Sequence, residues 1–335
     1  MSGSPSSHAE LDVLGIGNAI VDVLAQADDS FVEAQGLAKG AMTLIDGAVA
    51  ERLYGAMGPG REVSGGSAAN TMAGVASLGG GAGFIGKVRN DQLGGIFRHD
   101  IQAAGVRFEN RPAMDGPATA RCLVLVTPDA QRTMSTYLGA SVNMGPDDVD
   151  PALVGAAKVT YLEGYLWDAP PAKEAFLKAS ALAHAAGRKV ALSLSDPFCV
   201  DRHRESFVAL IRDHVDLLFA NQDEIISLFQ GDSFEAAQEA IAGQCEVAVL
   251  TCSAEGSLVL SDGQAHRVPA APVDQVVDTT GAGDLYAAGF LYGYTRGRAL
   301  PDCGRMGAIA AAEVISHFGA RPEQSLKDLV AQALG

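Results

Sequence analysis

Long apolar runs are missing from this chain. No stretch approaches the length needed to span a bilayer, and the first residues show no basic-then-apolar leader pattern. Basic residues are scarce as well: 24 Lys and Arg stand against 40 Asp and Glu, a formal net charge of −16. Nucleic acid is thereby disfavoured as a partner, because binding a phosphate backbone needs a cationic surface. The five cysteines (Cys122, Cys199, Cys245, Cys252 and Cys303) are scattered, odd in number and without a C-x-x-C pair. Their pattern argues against a disulfide framework or structural zinc and for a reducing cytoplasm. The seven histidines show no metal-ligand spacing. What is present is 335 residues, 48% of them hydrophobic, enough for one large core or two unequal domains. The composition suits an acidic cytoplasmic enzyme acting on a small molecule.

From Leu11 onward, short β-rich runs alternate with helix-like segments. Strands are expected at 12–17, 83–88, 159–162, 190–194, 216–220 and 247–251. Helices are expected at 67–78, 92–104, 171–186, 202–212 and 233–242, and from 285 to about 297. Strands separated by helices favour an α/β fold whose mostly parallel sheet is covered on both faces. Two segments, 21–46 and 118–138, carry extended, partly alternating residues with too little helix for a crossover. They read as a small antiparallel β lid built from two separate stretches; plain hairpin insertions are the alternative. Residues 1–10 are small and polar and read as a disordered lead-in. Neither an internal repeat nor a long linker is visible.

Some motifs are set aside. Gly81-Ala-Gly83-Phe-Ile-Gly86 has the spacing of a dinucleotide fingerprint, but a helix precedes it and an expected strand runs through its end. Gly81, Gly86 and Lys87 nearly spell a phosphate-binding loop, yet Val88 occupies the hydroxyl position. Gly15-Ile-Gly17 fails because Ile20 stands where a third glycine belongs.

The decisive stretch is Asp278-Thr279-Thr280-Gly281-Ala282-Gly283-Asp284. Its small residues precede an apolar helix, where backbone N–H groups and the helix dipole together favour an anion. Asp284, one residue past that nest, would sit beside the anion. Donors cradling a phosphate next to a general base are the parts that move a phosphoryl group onto a hydroxyl. The plainer alternative is a Gly-rich turn with Asp284 as a dipole-complementing acid.

Other constellations fit around it. Ser64-Gly65-Gly66-Ser67-Ala68-Ala69-Asn70 opens a helix, with glycines exposing backbone and Asn70 able to donate and accept; a helix start capped by Ser67 is the plain reading. Asn18 and Asp22 follow the first strand, at the end where α/β sheets bind ligands, and a carboxylate suits a sugar diol. Asn221 and Glu224 share one face of a starting helix and could offer oxygens to hydrated magnesium, or simply form a cap. Arg132 in the lid could close over a polyphosphate or stand exposed.

Together these residues resemble the ribokinase/PfkB family of ATP-dependent sugar and nucleoside kinases. One signature runs from Gly65-Gly66 through Gly86 to Gly94-Gly95; the other is 278–284 with Ala287-Ala288-Gly289-Phe290; Asn221-x-x-Glu224 lies between them. The resemblance covers about 12–322. It implies a ribokinase-like α/β kinase domain over 11–335, with a lid from about 21–48 and 116–139. It implies Asp284 as base and Gly281, Ala282 and Gly283 as the anion hole. Asp22, Gly65, Gly66, Ser67 and Asn70 would hold the acceptor, with Asn18 and Arg132 nearby. Asn221, Thr251, Gly256, Thr280 and Gly283 would line the ATP site. Asn221 and Glu224 would place Mg2+, and Asp278 a potassium ion. Ser253 replaces a common glycine, and Glu323 stands where a small hydroxyl residue is frequent at the ion site.

Gly15–Asp22, Gly66-Ser67 and Cys122 are similar to adenosine kinases in particular, although Thr280 stands where those often carry Asn. The expected reaction passes the ATP γ-phosphate to the primary hydroxyl of a nucleoside, adenosine first. A ribose or fructose kinase is the alternative, and a non-catalytic nucleoside or sugar binder the alternative of another class. A monomer or a homodimer through the lid is expected.

Overall fold

Leu11–Ile16 is buried at every position, which a strand covered on both faces demands and which its near-continuous apolar run provides. The computed structural model describes residues 10–129 and 131–335, so the expected lead-in lies outside it except for Glu10. In chain order the strands are β1 (Leu11–Ile16), β2 (Ile20–Gln26), β3 (Met42–Leu44), β4 (Arg61–Gly65), β5 (Ala82–Ile85), β6 (Val106–Phe108) and β7 (Ala120–Val126). They continue with β8 (Arg132–Tyr137), β9 (Ala157–Glu163), β10 (Lys189–Ser193), β11 (Leu217–Asn221), β12 (Val247–Thr251), β13 (Ser257–Ser261) and β14 (Gln264–Val268).

Nine of them form one sheet in the order β14-β13-β12-β11-β10-β9-β1-β5-β6. It is parallel from β12 to β6, and β13 and β14 extend it as an antiparallel edge. Helices cover both faces over two hydrophobic clusters. Phe84, Phe97, Phe108, Tyr161, Phe219 and Phe290 belong to one, and Leu14, Ile16, Phe176 and Phe207 to the other. Each fully buried side chain of this size contributes roughly 1.5–3 kcal/mol.

The smaller sheet has five strands in the order β3-β8-β7-β2-β4. Both expected stretches contribute, and β4 joins them from outside. Its pairing is mixed: β2–β4 and β7–β8 are antiparallel, while β2–β7 and β3–β8 are parallel. The reason is that β2 finds its neighbours across the chain rather than through a hairpin, which the local pattern does not reveal.

Boundaries also shift. The helix expected at 202–212 runs Pro197–His214, because the Asp196 side chain accepts from Cys199 N and starts it earlier. The edge strands β6 and β14, the strand β13 beside β14, and the helices Gly47–Ala56, Leu300–Val314 and Leu326–Leu334 lie outside the expected elements. Strand β5 runs through Gly83 as expected, which removes the dinucleotide-fingerprint reading. No described helix is long and apolar enough to cross a membrane.

One contact positions the site. The helix Ser67–Ser77 packs against the helix Ala282–Tyr294, and Gly74 makes the approach possible: a Cβ there would lie 2.6 Å from both Ala288 Cβ and Leu285 Cδ1. Close packing brings the N-terminal ends of these two helices together.

Candidate functional site

Both helices that meet here begin on glycines at positive φ, Gly281 at 80° and Gly66 at 97°, which side chains adopt only under strain. Neither glycine supplies a side-chain cap; in the Ser67–Ser77 helix a buried carboxylate takes one first-turn N–H, whereas the first-turn N–H groups of the Ala282–Tyr294 helix keep their attraction for an anion. Gly281, Ala282 and Gly283 form the entrance to the second helix, with Gly283 exposed.

Asp284 stands in the first turn. Ser67 Oγ donates to its Oδ1 at 2.6 Å, and Asn70 Nδ2 donates to its Oδ2 at 3.0 Å. Ser67 therefore does not cap its own helix; its hydroxyl serves the carboxylate of the other one. Burial pushes Asp284 above the ordinary carboxylate range, opposed by these two donors and by the charge of Arg321.

Asp22, on β2, faces the Gly65–Gly66 turn so closely that a Cβ at position 65 would lie 2.3 Å from Asp22 Oδ2. Burial lifts its pKa to about 6, and Asp284 adds to the push while Arg321 and Arg132 oppose it. Asn18 is enclosed (2% exposed) and engages Glu163, donating to Glu163 Oε1 from Nδ2 at 2.7 Å and from its backbone at 3.2 Å. Glu163 Oε2 accepts from Ala68 N at 2.8 Å, so this acid at the end of β9 pins the start of the Ser67–Ser77 helix. Burial lifts Glu163 to about 7.

The other half of the site lies at the ends of β11 and β12. Asn221 and Thr251 are direct cross-strand partners there, and Gly256, at φ 90°, follows Thr251 on the same edge. Asn221 and Glu224 close a reciprocal capping box: Glu224 N donates to Asn221 Oδ1 at 2.8 Å, and Asn221 N and Nδ2 donate to the carboxylate at 2.9 and 2.7 Å. Burial lifts Glu224 to about 7, and Asp196, Asp223 and Asp284 add to the rise. With both its oxygens engaged, Glu224 fits a hydrated divalent cation contacted through water rather than direct ligation. Among the described residues no group of three or more His, Cys, Asp or Glu side chains is placed to hold a metal.

Arg132 reaches from β8 to the loop before the second helix. It pairs with Asp278 Oδ2 at 2.6 Å and donates to Thr280 Oγ1 at 3.0 Å, with its guanidinium over the Phe318 ring at 5.8 Å. Thr280 donates to Asp278 Oδ1 from N and Oγ1, and Gly319 N donates to Oδ2. Asp278 is thus matched by a guanidinium, and these residues do not fit a further potassium ion in this arrangement.

Buried polar atoms without a partner collect around this place: Asn70 Oδ1, Arg132 Nε and Nη2, and Arg321 Nε. Such atoms cost free energy unless a ligand or water meets them. Sequence reasoning missed Glu163 and Arg321. Glu163 ends a buried strand, a signal that was available; Arg321 had none, since only the fold carries its loop here.

The pfkB family carbohydrate kinase profile matches residues 51–326. A crystal structure of adenosine kinase from Sinorhizobium meliloti superposes with a TM-score of 0.90 at 54% identity, covering 97% of this chain and 100% of that one. A probable sugar kinase from Rhizobium etli CFN 42 does so with a TM-score of 0.90 at 51% identity, covering 97% and 99%. A 5-dehydro-2-deoxygluconokinase from Shouchella clausii is 30% identical over 280 residues, 80% of this chain and 85% of that one. With two glycine-headed helices meeting over one acid, and a profile match across most of its length, this chain belongs to the pfkB family of carbohydrate kinases and is a phosphotransferase with an alcohol acceptor.

Proposed function

We propose that this enzyme moves the γ-phosphoryl group of ATP, bound with Mg2+, onto the primary hydroxyl of a nucleoside, adenosine first. The observation that carries the reading is the setting of Asp284. It sits one residue beyond the Gly281–Gly283 anion nest and is oriented by Ser67 and Asn70 from the acceptor side.

A carboxylate held above its usual range is a better proton acceptor in the transition state than a solvated one. Asp284 takes the hydroxyl proton as the acceptor oxygen attacks in line. The first-turn N–H groups stabilise the charge on the transferring phosphoryl, so positioning and electrostatics supply the rate. Asp22 and the Gly65–Gly66 turn hold the acceptor's hydroxyls. Thr251, Gly256, Asn221 and Thr280 would line the nucleotide, and Asn221 and Glu224 would hold a magnesium ion through water. When bound, magnesium supplies neutralisation of the phosphate charge. The lid sheet covers the acceptor, and Arg132 ties it to the body beside the nest, which keeps water from the reacting phosphate.

Similarity to an adenosine kinase at 54% identity supports the nucleoside. The sugar kinase reading has its own support in the Shouchella and Rhizobium relatives. An ATP-coupled screen of adenosine, inosine, guanosine, ribose, fructose and keto-sugars separates them. ADP release is expected with adenosine. Turnover with sugars alone moves the assignment to a sugar kinase, and tight ligand binding without ADP release makes the protein a binder.

A further inference from the structure

The loop after the helix Leu300–Val314 sends one arginine into the acceptor half of the site. Arg321 Nη1 donates to the Ala69 carbonyl at 3.0 Å, and Nη2 donates to the carbonyl and hydroxyl of Ser64 at 2.9 and 3.0 Å. Ser64 and Ala69 flank the Gly65–Gly66 turn, so the guanidinium straddles the entrance of the helix bearing Ser67 and Asn70. Ser64 is fixed in turn, its N–H and hydroxyl both donating to Asp100 Oδ2 at 2.7 and 2.6 Å. The loop itself is anchored by Glu313, whose Oε1 accepts from the backbone N–H of Glu323 and Gln324 at 2.9 and 2.8 Å.

The charge environment is one-sided. Asp100, Asp22 and Asp284 all act on Arg321. The other titratable groups facing the two site carboxylates are Cys122 from β7, which is the cross-strand neighbour of Asp22, Arg132 from β8, Tyr161 and Glu163 from β9, Tyr165 beyond it, and Glu224. Of these only Arg132 is a cation, and Asp278 already holds it. Arg321 is the cation that acts on both Asp22 and Asp284. Two acids brought together under burial would otherwise tend to share a proton.

We propose that Arg321 is a positioning residue of the phosphotransfer site: its arms fix the turn that presents Ser67 and Asn70 to Asp284, and its positive charge offsets the negative charge of Asp22 and Asp284. This rests on Asp284 acting as the base.

The test compares wild type with R321K, which keeps the charge, and R321Q, which keeps hydrogen-bonding capacity without it. With the acceptor found in the screen above, the acid limb of the kcat profile is expected to move up by about 1 pH unit in R321Q and to stay near wild type in R321K. Acid limbs unmoved in both, with equal losses of rate, would reduce Arg321 to a tie between loops and overturn the proposal.

A second measurement is independent of turnover. A carboxylate raised in the folded state contributes stability at low pH that is lost as pH rises through its folded pKa. Losing the Arg321 charge raises Asp22 and Asp284 further. The melting temperature of R321Q should therefore fall more steeply between about pH 5 and 8 than that of wild type, with R321K following wild type. Parallel curves overturn the proposal. If R321Q does not fold, D22N in the same background should restore folding by removing one of the opposed charges, and failure to do so counts against the idea. Should wild type phosphorylate no acceptor, the functional reading fails, while the melting comparison still decides what the Arg321 charge does.

Discussion

In the clusters at Asn221 and Asp278 the carboxylates are answered: Asn221 and Glu224 close a capping box, and Asp278 is matched by Arg132, Thr280 and Gly319, with only Arg132 Nε and Nη2 left open. On the acceptor side, Asn70 keeps an unpaired Oδ1, Arg321 an unpaired Nε, and Asp22 carries a pKa lifted to about 6. A self-satisfied region is already in its working shape and costs little to maintain. A region with open hydrogen-bonding capacity is one that a ligand completes. The difference teaches that the clusters at Asn221 and Asp278 hold their carboxylates in place by themselves, whereas the groups around Asp22 and Asn70 keep hydrogen-bonding capacity that a ligand can meet.

Removing the base is the strongest way to break this contrast. D284N is expected to lower kcat by about 10²–10⁴-fold with little change in ATP affinity, the usual cost of losing a general base. Steady-state kinetics decide it, and near-normal turnover would take Asp284 out of the mechanism. Next comes the Asp278 cluster. R132M strands the Asp278 carboxylate, whose side chain is 7% exposed, and should cost about 3 kcal/mol in denaturant unfolding. Adding D278N to R132M should return part of that loss, whereas strictly additive losses would mean the pair is not coupled.

On the acceptor side, D22A should weaken acceptor binding by about 1.5–3 kcal/mol, read as a rise in acceptor KM while folding is preserved. An unchanged KM would refute its grip on hydroxyls. N221A is the mildest test, with an expected stability loss of about 1 kcal/mol from the broken cap. If N221A impairs turnover far beyond that loss while the melting temperature holds, the Asn221 cluster is doing chemistry as well as support.

Much of this architecture was legible beforehand, for identifiable reasons. Runs such as 13–16 and 247–250 are apolar throughout because the middle of a covered parallel strand must be, and the strands form close to where the pattern puts them. The 278–284 stretch announced a glycine-headed helix with an acid in its first turn, since few residue types tolerate that backbone. Strand β4 and the parallel β2–β7 pairing were not legible, because sheet partners far apart in sequence leave no local mark. Nor was the fate of Asn18, whose amide answers a buried glutamate 145 residues away.

By itself, the order of residues determined which stretches lie inside, that a helix follows the 278–284 stretch, and that an acid follows a nest of small residues, because each depends on neighbours a few positions apart. Tertiary structure alone decided that Ser67 and Asn70 reach Asp284, that Glu163 pins the first helix, and that Arg321 arrives at the carbonyls of Ser64 and Ala69. Those contacts join segments more than two hundred residues apart in the cases of Ser67, Asn70 and Arg321, and only close helix packing at Gly74 and the path of the last loop bring them within hydrogen-bonding distance.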